Sequence, residues 1–382
     1  MADGDATGAS EPPIDTAVVL IDGLRANALG AYGQTAYETP AFDRLAAAGV
    51  VGSECYAATP DSTETLNAVA AALTRPATLL VSDEAAVSGG SLRAGADWVD
   101  LSSPTRPEAP ASSVGETDQA RVWTGFAEHL APRLAEADRG APLLAVCHTR
   151  GLYGAWDAPP ALIEDLVSED DPAADVAVDP PDETFDPPHS AEACDARFAA
   201  SVRYAAMVRV IDACLEGWLA AMESAAGERP TRVVVAGLRG FPLGEHGRVG
   251  GFDARLFAEQ QHAPLLWQDA GGHERFARRR EPADLAAAIA AAALGRSWPA
   301  TDRLRLRSSE GWRALLTEDR ALLAPPSVSE TDGVSLFVRP DDCWQQNDIA
   351  SLEPARCEAM LAELASPPMS ADSGVAAPGA SK

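Results

Sequence analysis

Residues 16–33, TAVVLIDGLRANALGAYG, restrict the fold more than any other stretch of the chain. Positions 17–21 form an unbroken apolar run rich in β-branched Val and Ile. Such a run suits a strand buried on both faces, as in a parallel sheet. Asp22-Gly23 ends it. A carboxylate at the carboxyl end of a buried strand is where open α/β folds place ligand and metal groups. Residues 24–29 read as the start of a helix or tight turn, with Gly30 and Gly33 as breakers.

The rest of the chain alternates strand-like and helix-like segments. A Thr39-Pro40 start opens a helix through Phe42, Leu45 and Ala46, closed at Gly49. Residues 50–56 read as a short strand. Asp61 with Glu64 three residues later has capping-box spacing before a helix over 63–73. Further strands are predicted at 77–82, 96–101, 142–147, 232–236 and 263–267, and helices at 118–137, 191–223 and 282–294. The acidic, Pro-rich stretch 168–188 reads as an irregular surface excursion. SLFVRP, within 322–340, and a last helix at 353–364 make a small C-terminal unit. This alternation predicts an α/β fold, a three-layer α/β/α sandwich around a mostly parallel central sheet, plus the small C-terminal strand-and-helix unit. The expected division is a disordered tail over 1–14, the α/β domain over 15–320, the small unit over 321–365 and a second disordered tail over 366–382.

Composition narrows the partners. With 30 Lys+Arg against 57 Asp+Glu the formal net charge is -27, and the single lysine is Lys382. A surface this acidic repels nucleic acid and anionic lipid. The six cysteines form no C-x-x-C pair, so they read as reduced thiols rather than a disulfide framework or zinc site. The first residues carry no basic and apolar leader pattern, and no run approaches the roughly 18 apolar residues of a membrane span. These features lead us to expect a cytoplasmic protein with no membrane or nucleic-acid partner.

Six segments, in order, resemble the sulfatase family of the alkaline-phosphatase-like superfamily. They are VVLIDGLRANALGAYG with ETPAFDRLAAAGV, then HTRGLYGAWDAP at 148–159, RYAAMVRVIDACLEGWLAAME at 203–223, VVVAGLRGFPLGEHGRVGG at 233–251, QHAPLLW at 261–267 and SLFVRPDDCWQQNDIASLEP at 335–354. The resemblance spans 16–366 and implies the alkaline-phosphatase-like fold. It also implies a divalent metal, usually calcium, held against a sulfate ester, and a formylglycine nucleophile.

Asp22 matches the first metal ligand of the family and is the one remaining candidate metal ligand. Gly23 stands where many relatives carry a second acid. Ser62 aligns with the nucleophile, but Glu64 and Leu66 replace the Pro or Ala and the Arg of the formylglycine motif. Ser62 or Thr63 therefore serves either as an unmodified hydroxyl nucleophile or simply in the start of the next helix. Leu238 and Arg239 stand where the signature has its Asp-His metal pair. Leu cannot bind calcium, and the fixed cation of Arg239 suits an oxyanion instead. His148 matches a position near the bound sulfate, and His246 lies in the retained G-E-H-G loop. Asp157 reads as a turn cap, and His129, His189 and His273 as surface or loop residues.

The expected protein is a sulfatase-family member, a sulfuric ester hydrolase by resemblance, that is catalytically degenerate. It needs no cofactor, with calcium entering only if the Asp22 site survives. Its expected ligand is a small oxyanion or sulfated compound near Asp22, Ser62, His148 and Arg239, with His246 on the anion-binding side. Two alternatives stay open: an active sulfate or phosphate ester hydrolase using Ser62 or Thr63, and a scaffold or regulatory protein partner of an active sulfatase.

Overall fold

The computed structural model describes residues 14–366 apart from 86, 88–89, 104, 137–140, 173, 175, 187–189, 228, 269–276, 280–281, 297, 299–300 and 328–332. The first half of the chain forms β1 (Asp15–Ile21), α1 (Pro40–Ala47), β2 (Val50–Gly52), β3 (Cys55–Tyr56), α2 (Ser62–Ala72), β4 (Leu79–Ser82), α3 (Gly90–Arg93), β5 (Asp97–Asp100), α4 (Asp118–Ala135), β6 (Leu144–Thr149), α5 (Pro160–Glu164) and β7 (Asp182–Thr184). There follow α6 (Ala191–Ala226), β8 (Thr231–Gly237), β9 (Arg248–Gly250), α7 (Ala258–Gln261), β10 (Leu265–Gln268), β11 (Ala277–Arg279), β12 (Ala283–Asp284) and α8 (Leu285–Ala293). The chain closes with β13 (Arg303–Arg307), β14 (Arg313–Thr317), β15 (Arg320–Ala324), β16 (Ser335–Val338) and α9 (Pro354–Ala365).

The central sheet is eight-stranded in the order β11-β2-β10-β8-β1-β6-β4-β5. From β8 to β5 all neighbours are parallel. The antiparallel β10 separates this run from β2. Strand β1 lies between β6 and β8 and is buried along its whole length. That explains its unbroken apolar pattern, because both faces lie under helices. Ala17, Val19 and Ile21 pack toward α1, α4 and α6, and Val18 and Leu20 toward α2 and α8. The three expected layers are therefore present. The expected strand at 96–101 is the outer edge, and its residues are half-buried or exposed.

Helix α1 shows how one motif residue fixes a distant element. Thr39 does not cap it; its hydroxyl accepts from Gly30 N instead. The cap is Asp212 on α6, whose carboxylate accepts from Ala41 N and Phe42 N, both at 3.0 Å. On the same helix, the Tyr204 hydroxyl donates to Gly23 O at 2.8 Å and accepts from Arg25 N at 3.0 Å. The R-Y…D pattern at 203–212 thus clamps both the loop after β1 and the start of α1.

Two expectations need correction. The 168–188 stretch is not wholly an irregular excursion: β7 pairs with β9, Val178 is buried, and its carbonyl accepts from Trp156 N. The small unit also begins earlier than 321. Its antiparallel sheet runs β13-β14-β15-β16, so the expected border falls inside β15. One face of that sheet, through Leu315, Leu322 and Leu336, covers Cys357 and Met360 of α9. The other, through Leu316, Leu323 and Phe337, packs against Tyr56 and Leu256 of the main layer. His129 sits on α4 with Nδ1 2.7 Å from Gly125 O. His189, His273 and the predicted tails, except Ile14 and Ser366, lie outside the described residues. No described helix is long and apolar enough to cross a membrane.

Asp212→Ala should lower stability by about 1–2 kcal/mol through loss of the buried cap, and Asp212→Asn, which keeps one acceptor, by less. Urea unfolding midpoints of the two variants test this; equal midpoints would remove Asp212 as the cap of α1.

Candidate functional site

The carboxyl ends of the parallel strands converge on one edge of the sheet, as the strand pattern requires. There β1 delivers Asp22, β4 delivers Asp83 and Glu84, β6 delivers His148 to Arg150, and β8 delivers Leu238 and Arg239.

Asp22 and Arg239 meet. Arg239 Nε donates to Asp22 Oδ1 at 2.8 Å and Nη2 to Oδ2 at 3.1 Å, a side-on two-pronged pair. The third nitrogen, Nη1, donates to Pro60 O at 2.8 Å. The Arg239 guanidinium carbon lies 3.9 Å from the centre of the Tyr153 ring, and the Tyr153 hydroxyl donates to Gly251 O at 3.0 Å. Burial alone weakens the Arg239 cation, but the Asp22 carboxylate outweighs it and holds the pKa above the ordinary arginine value. Both side chains are mostly shielded, at 13% and 6% exposure.

Gly23 and Leu238 close the place around this pair. Gly23 has φ +81, and a Cβ there would stand 2.9 Å from Leu152 Cβ, so the second acid seen in many relatives does not fit this backbone. Leu238 is fully buried in the core layer below α8. Sequence reasoning singled out Asp22 and Arg239 separately, one for a metal and one for an anion. The structure instead spends each on the other.

Ser62 is the first residue of α2. The cap is Asp61, whose Oδ1 accepts from Thr63 N at 2.8 Å and Glu64 N at 3.3 Å. Thr63 is exposed. Among the described residues neither hydroxyl has a hydrogen-bond partner, so no base is in place to activate one.

His148 is fully buried, and its Nδ1 lies 2.9 Å from Ser82 Oγ. Its Nε2 has no hydrogen-bond partner. Burial lowers the ring pKa to about 4 against the opposing pull of Asp22, so the imidazole is neutral. Beside it, burial raises Asp83 to about 6 although its carboxylate accepts from Thr149 Oγ1 at 3.0 Å and Arg150 N at 2.8 Å. Glu84 is raised too, first by burial and then by Asp22. Asp83 and Glu84 were missed from the sequence; the signal was the acid pair that directly follows the apolar run LLVS.

His246 stands elsewhere, and its expected anion-binding role is corrected. Nδ1 lies 2.7 Å from Glu259 Oε1 and Nε2 2.9 Å from the Gln345 carbonyl oxygen. Both ring nitrogens are thus engaged, and the contact with Glu259 favours the charged form of the ring, although burial also raises the Glu259 carboxyl. Burial opposes that charge and Glu259 outweighs it, so the pKa is raised. The ring therefore ties the main layer to the C-terminal unit and has no nitrogen left for an anion. Glu245 of the same loop pairs with the buried Arg25 guanidinium. Asp157 caps α4, its Oδ2 accepting from Asp118 N at 2.7 Å. Among the described cysteines, Cys55, Cys147, Cys194, Cys214, Cys343 and Cys357 are free thiols.

Solved structures with the same architecture are sulfatases and phosphonate monoester hydrolases. The phosphonate monoester hydrolase of Agrobacterium radiobacter superposes with a TM-score of 0.67 at 16% identity, over 92% of this chain and 94% of that one. The chain has the alkaline-phosphatase-like fold of the sulfatases. A 2-O GAG sulfatase gives a TM-score of 0.60 at 16% identity, covering 92% of each chain. A third structure, in complex with its substrate D-glucosamine-2-N,6-O-disulfate, gives 0.62 at 15% identity, over 92% of this chain and 97% of that one. No family model matches the sequence, and no curated protein matches it.

Two measurements test this site. Arg239→Ala leaves Asp22 buried without its partner and should lower stability by about 3 kcal/mol, while Asp22→Asn combined with Arg239→Gln should recover most of it. Guanidinium unfolding reads both, and an Arg239→Ala protein as stable as its parent would remove the pair. The second is a pH titration. Below pH 6.5 the unfolded chain protonates His148 and the folded chain does not, so this residue subtracts stability as pH falls toward about 4, by up to roughly 3 kcal/mol. Asp83, whose folded carboxyl keeps its proton up to about 6, works in the opposite direction. His148→Gln should therefore flatten the fall in Tm between pH 6.5 and pH 4 relative to the parent, and an unchanged slope would mean the ring already titrates normally.

Proposed function

We propose that this chain is a sulfatase-fold protein that binds an oxyanion-bearing ligand and does not hydrolyse sulfate esters. The observation that carries this reading is the Asp22–Arg239 pair. A sulfatase of the resembled kind needs a divalent cation to neutralise the sulfate oxygens and activate the nucleophile. Calcium needs several oxygen ligands, most of them carboxylate. Of the matched ligand positions only Asp22 is a carboxylate, and a guanidinium engages both of its oxygens. Leu238 offers no ligand, and Arg239 adds a fixed positive charge. Among the described residues no group of three or more His, Cys, Asp or Glu side chains is placed to hold a metal. The residues present do not suit calcium, and no step of a reaction is routed through it.

The nucleophile fares no better. Ser62 lacks the maturation motif, and the neutral His148 directs its Nδ1 to Ser82 rather than to Ser62. The binding half of the reading draws on the fold. A protein of the same architecture is seen with a disulfated glucosamine. The unpartnered Nε2 of His148 favours the alternative, an active ester hydrolase with Ser62 or Thr63 as nucleophile, because it is a ring nitrogen at this edge that no protein group occupies.

The purified chain, incubated with 4-methylumbelliferyl sulfate and 4-methylumbelliferyl phosphate with and without added calcium, should release no fluorescent product above the blank. Catalysed release that disappears in Ser62→Ala would establish the hydrolase instead.

A further inference from the structure

A cavity of about 530 Å³ opens beside the loop after β1, and none of Asp22, Ser62, His148 and Arg239 lines it. Its walls come from 25–37, the first turns of α6, the 243–245 loop and Trp344 of the C-terminal unit. We propose that this cavity is a second, independent binding site for a small flat ring compound carrying one anionic group. The proposal builds on the binding role given above and not on the absence of hydrolysis.

Three observations carry it. The first is charge. Arg197 lines the cavity, and among the described residues its guanidinium has neither a carboxylate nor a hydrogen-bond partner. A cation left uncompensated in a chain of net charge -27 makes this a local positive spot on an acidic protein. Arg25, also in the wall, is neutralised by Glu245 but keeps a buried Nε–H without an acceptor. The second is shape. Gly244 has φ +98, and a Cβ there would stand 2.2 Å from Arg197 Cγ, so the loop gives way to the Arg197 stem and fixes where the guanidinium reaches. The third is the aromatic face. Trp344 is 45% exposed, one of few large apolar side chains so placed, and Arg25 lies 5.4 Å from its ring centre. Phe198 and Leu243 add apolar wall.

The chemistry follows from these parts. An oxyanion takes two N–H donors from the Arg197 guanidinium. A flat ring stacks on Trp344 and removes its face from water. A neutral ring loses the first part and a bare inorganic anion the second, so both should bind more weakly than the two combined.

The probe is 2-naphthalenesulfonate, titrated calorimetrically into the full chain. Saturable binding at one site is expected. Arg197→Ala and Trp344→Ala should each weaken it by about tenfold or more, and neutral 2-naphthol should bind about tenfold more weakly than the sulfonate. Arg44→Ala, which lies outside this cavity, should leave it unchanged. No saturable heat, or the same affinity in parent and Arg197→Ala, would overturn the proposal. The carbon–sulfur bond of the probe is not an ester, so turnover of 4-methylumbelliferyl sulfate would overturn the non-hydrolytic reading while leaving this result standing.

Discussion

The Asp22–Arg239 ion pair governs what this sheet edge can do. A carboxylate at the end of a buried strand needs a counter-charge, because an isolated one is strongly disfavoured away from water. In a metal-dependent hydrolase a divalent cation supplies that charge and retains coordination positions for the substrate. Here a side chain supplies it, in fixed geometry, with its flat face on Tyr153 and its third nitrogen on Pro60 O. The fit of the surroundings follows from that choice. A side chain at position 23 would press on Leu152 and Tyr153, and Leu238 joins the apolar layer below.

The retained loop G-E-H-G makes sense apart from chemistry. Glu245 neutralises the buried Arg25 and accepts from Leu243 N, and His246 holds Gln345 of the C-terminal unit. These are long-range joints made from charged groups. They place Trp344 over the cavity wall and hold Arg25 beneath it. The loop therefore carries assembly here.

The layers were legible because a parallel strand buried on both faces leaves an unbroken apolar run, as at 17–21, and because helices between strands repeat at 3.6 residues. Asp61 as a cap was legible too, since capping is local. The ion pair was not, because its partners stand 217 residues apart and each has a reasonable solitary role. His246 misled for the same reason: its second acceptor is a backbone carbonyl, and no side-chain pattern announces it. The border of the C-terminal unit was misplaced because RLRLR and RALLT, the first two strands of its sheet, are short and carry arginines at their ends, which reads as loop. The stretch 168–188 looked irregular from its prolines and acids, yet one short strand within it finds a partner in β9.

The position of β1 in the sheet also bears on how the chain is made. Its neighbours β6 and β8 register Thr16 with Leu144 and Asp15 with Thr231. On a ribosome the strand DTAVVLI emerges first and its second partner follows only after roughly two hundred further residues, about 10–40 s at ordinary synthesis rates. During that interval a strand buried along its whole length in the fold has one edge unpaired, and contacts this distant in sequence close slowly. Vectorial synthesis thus leaves one edge of β1 open, with β6 on its other side, until β8 has been made.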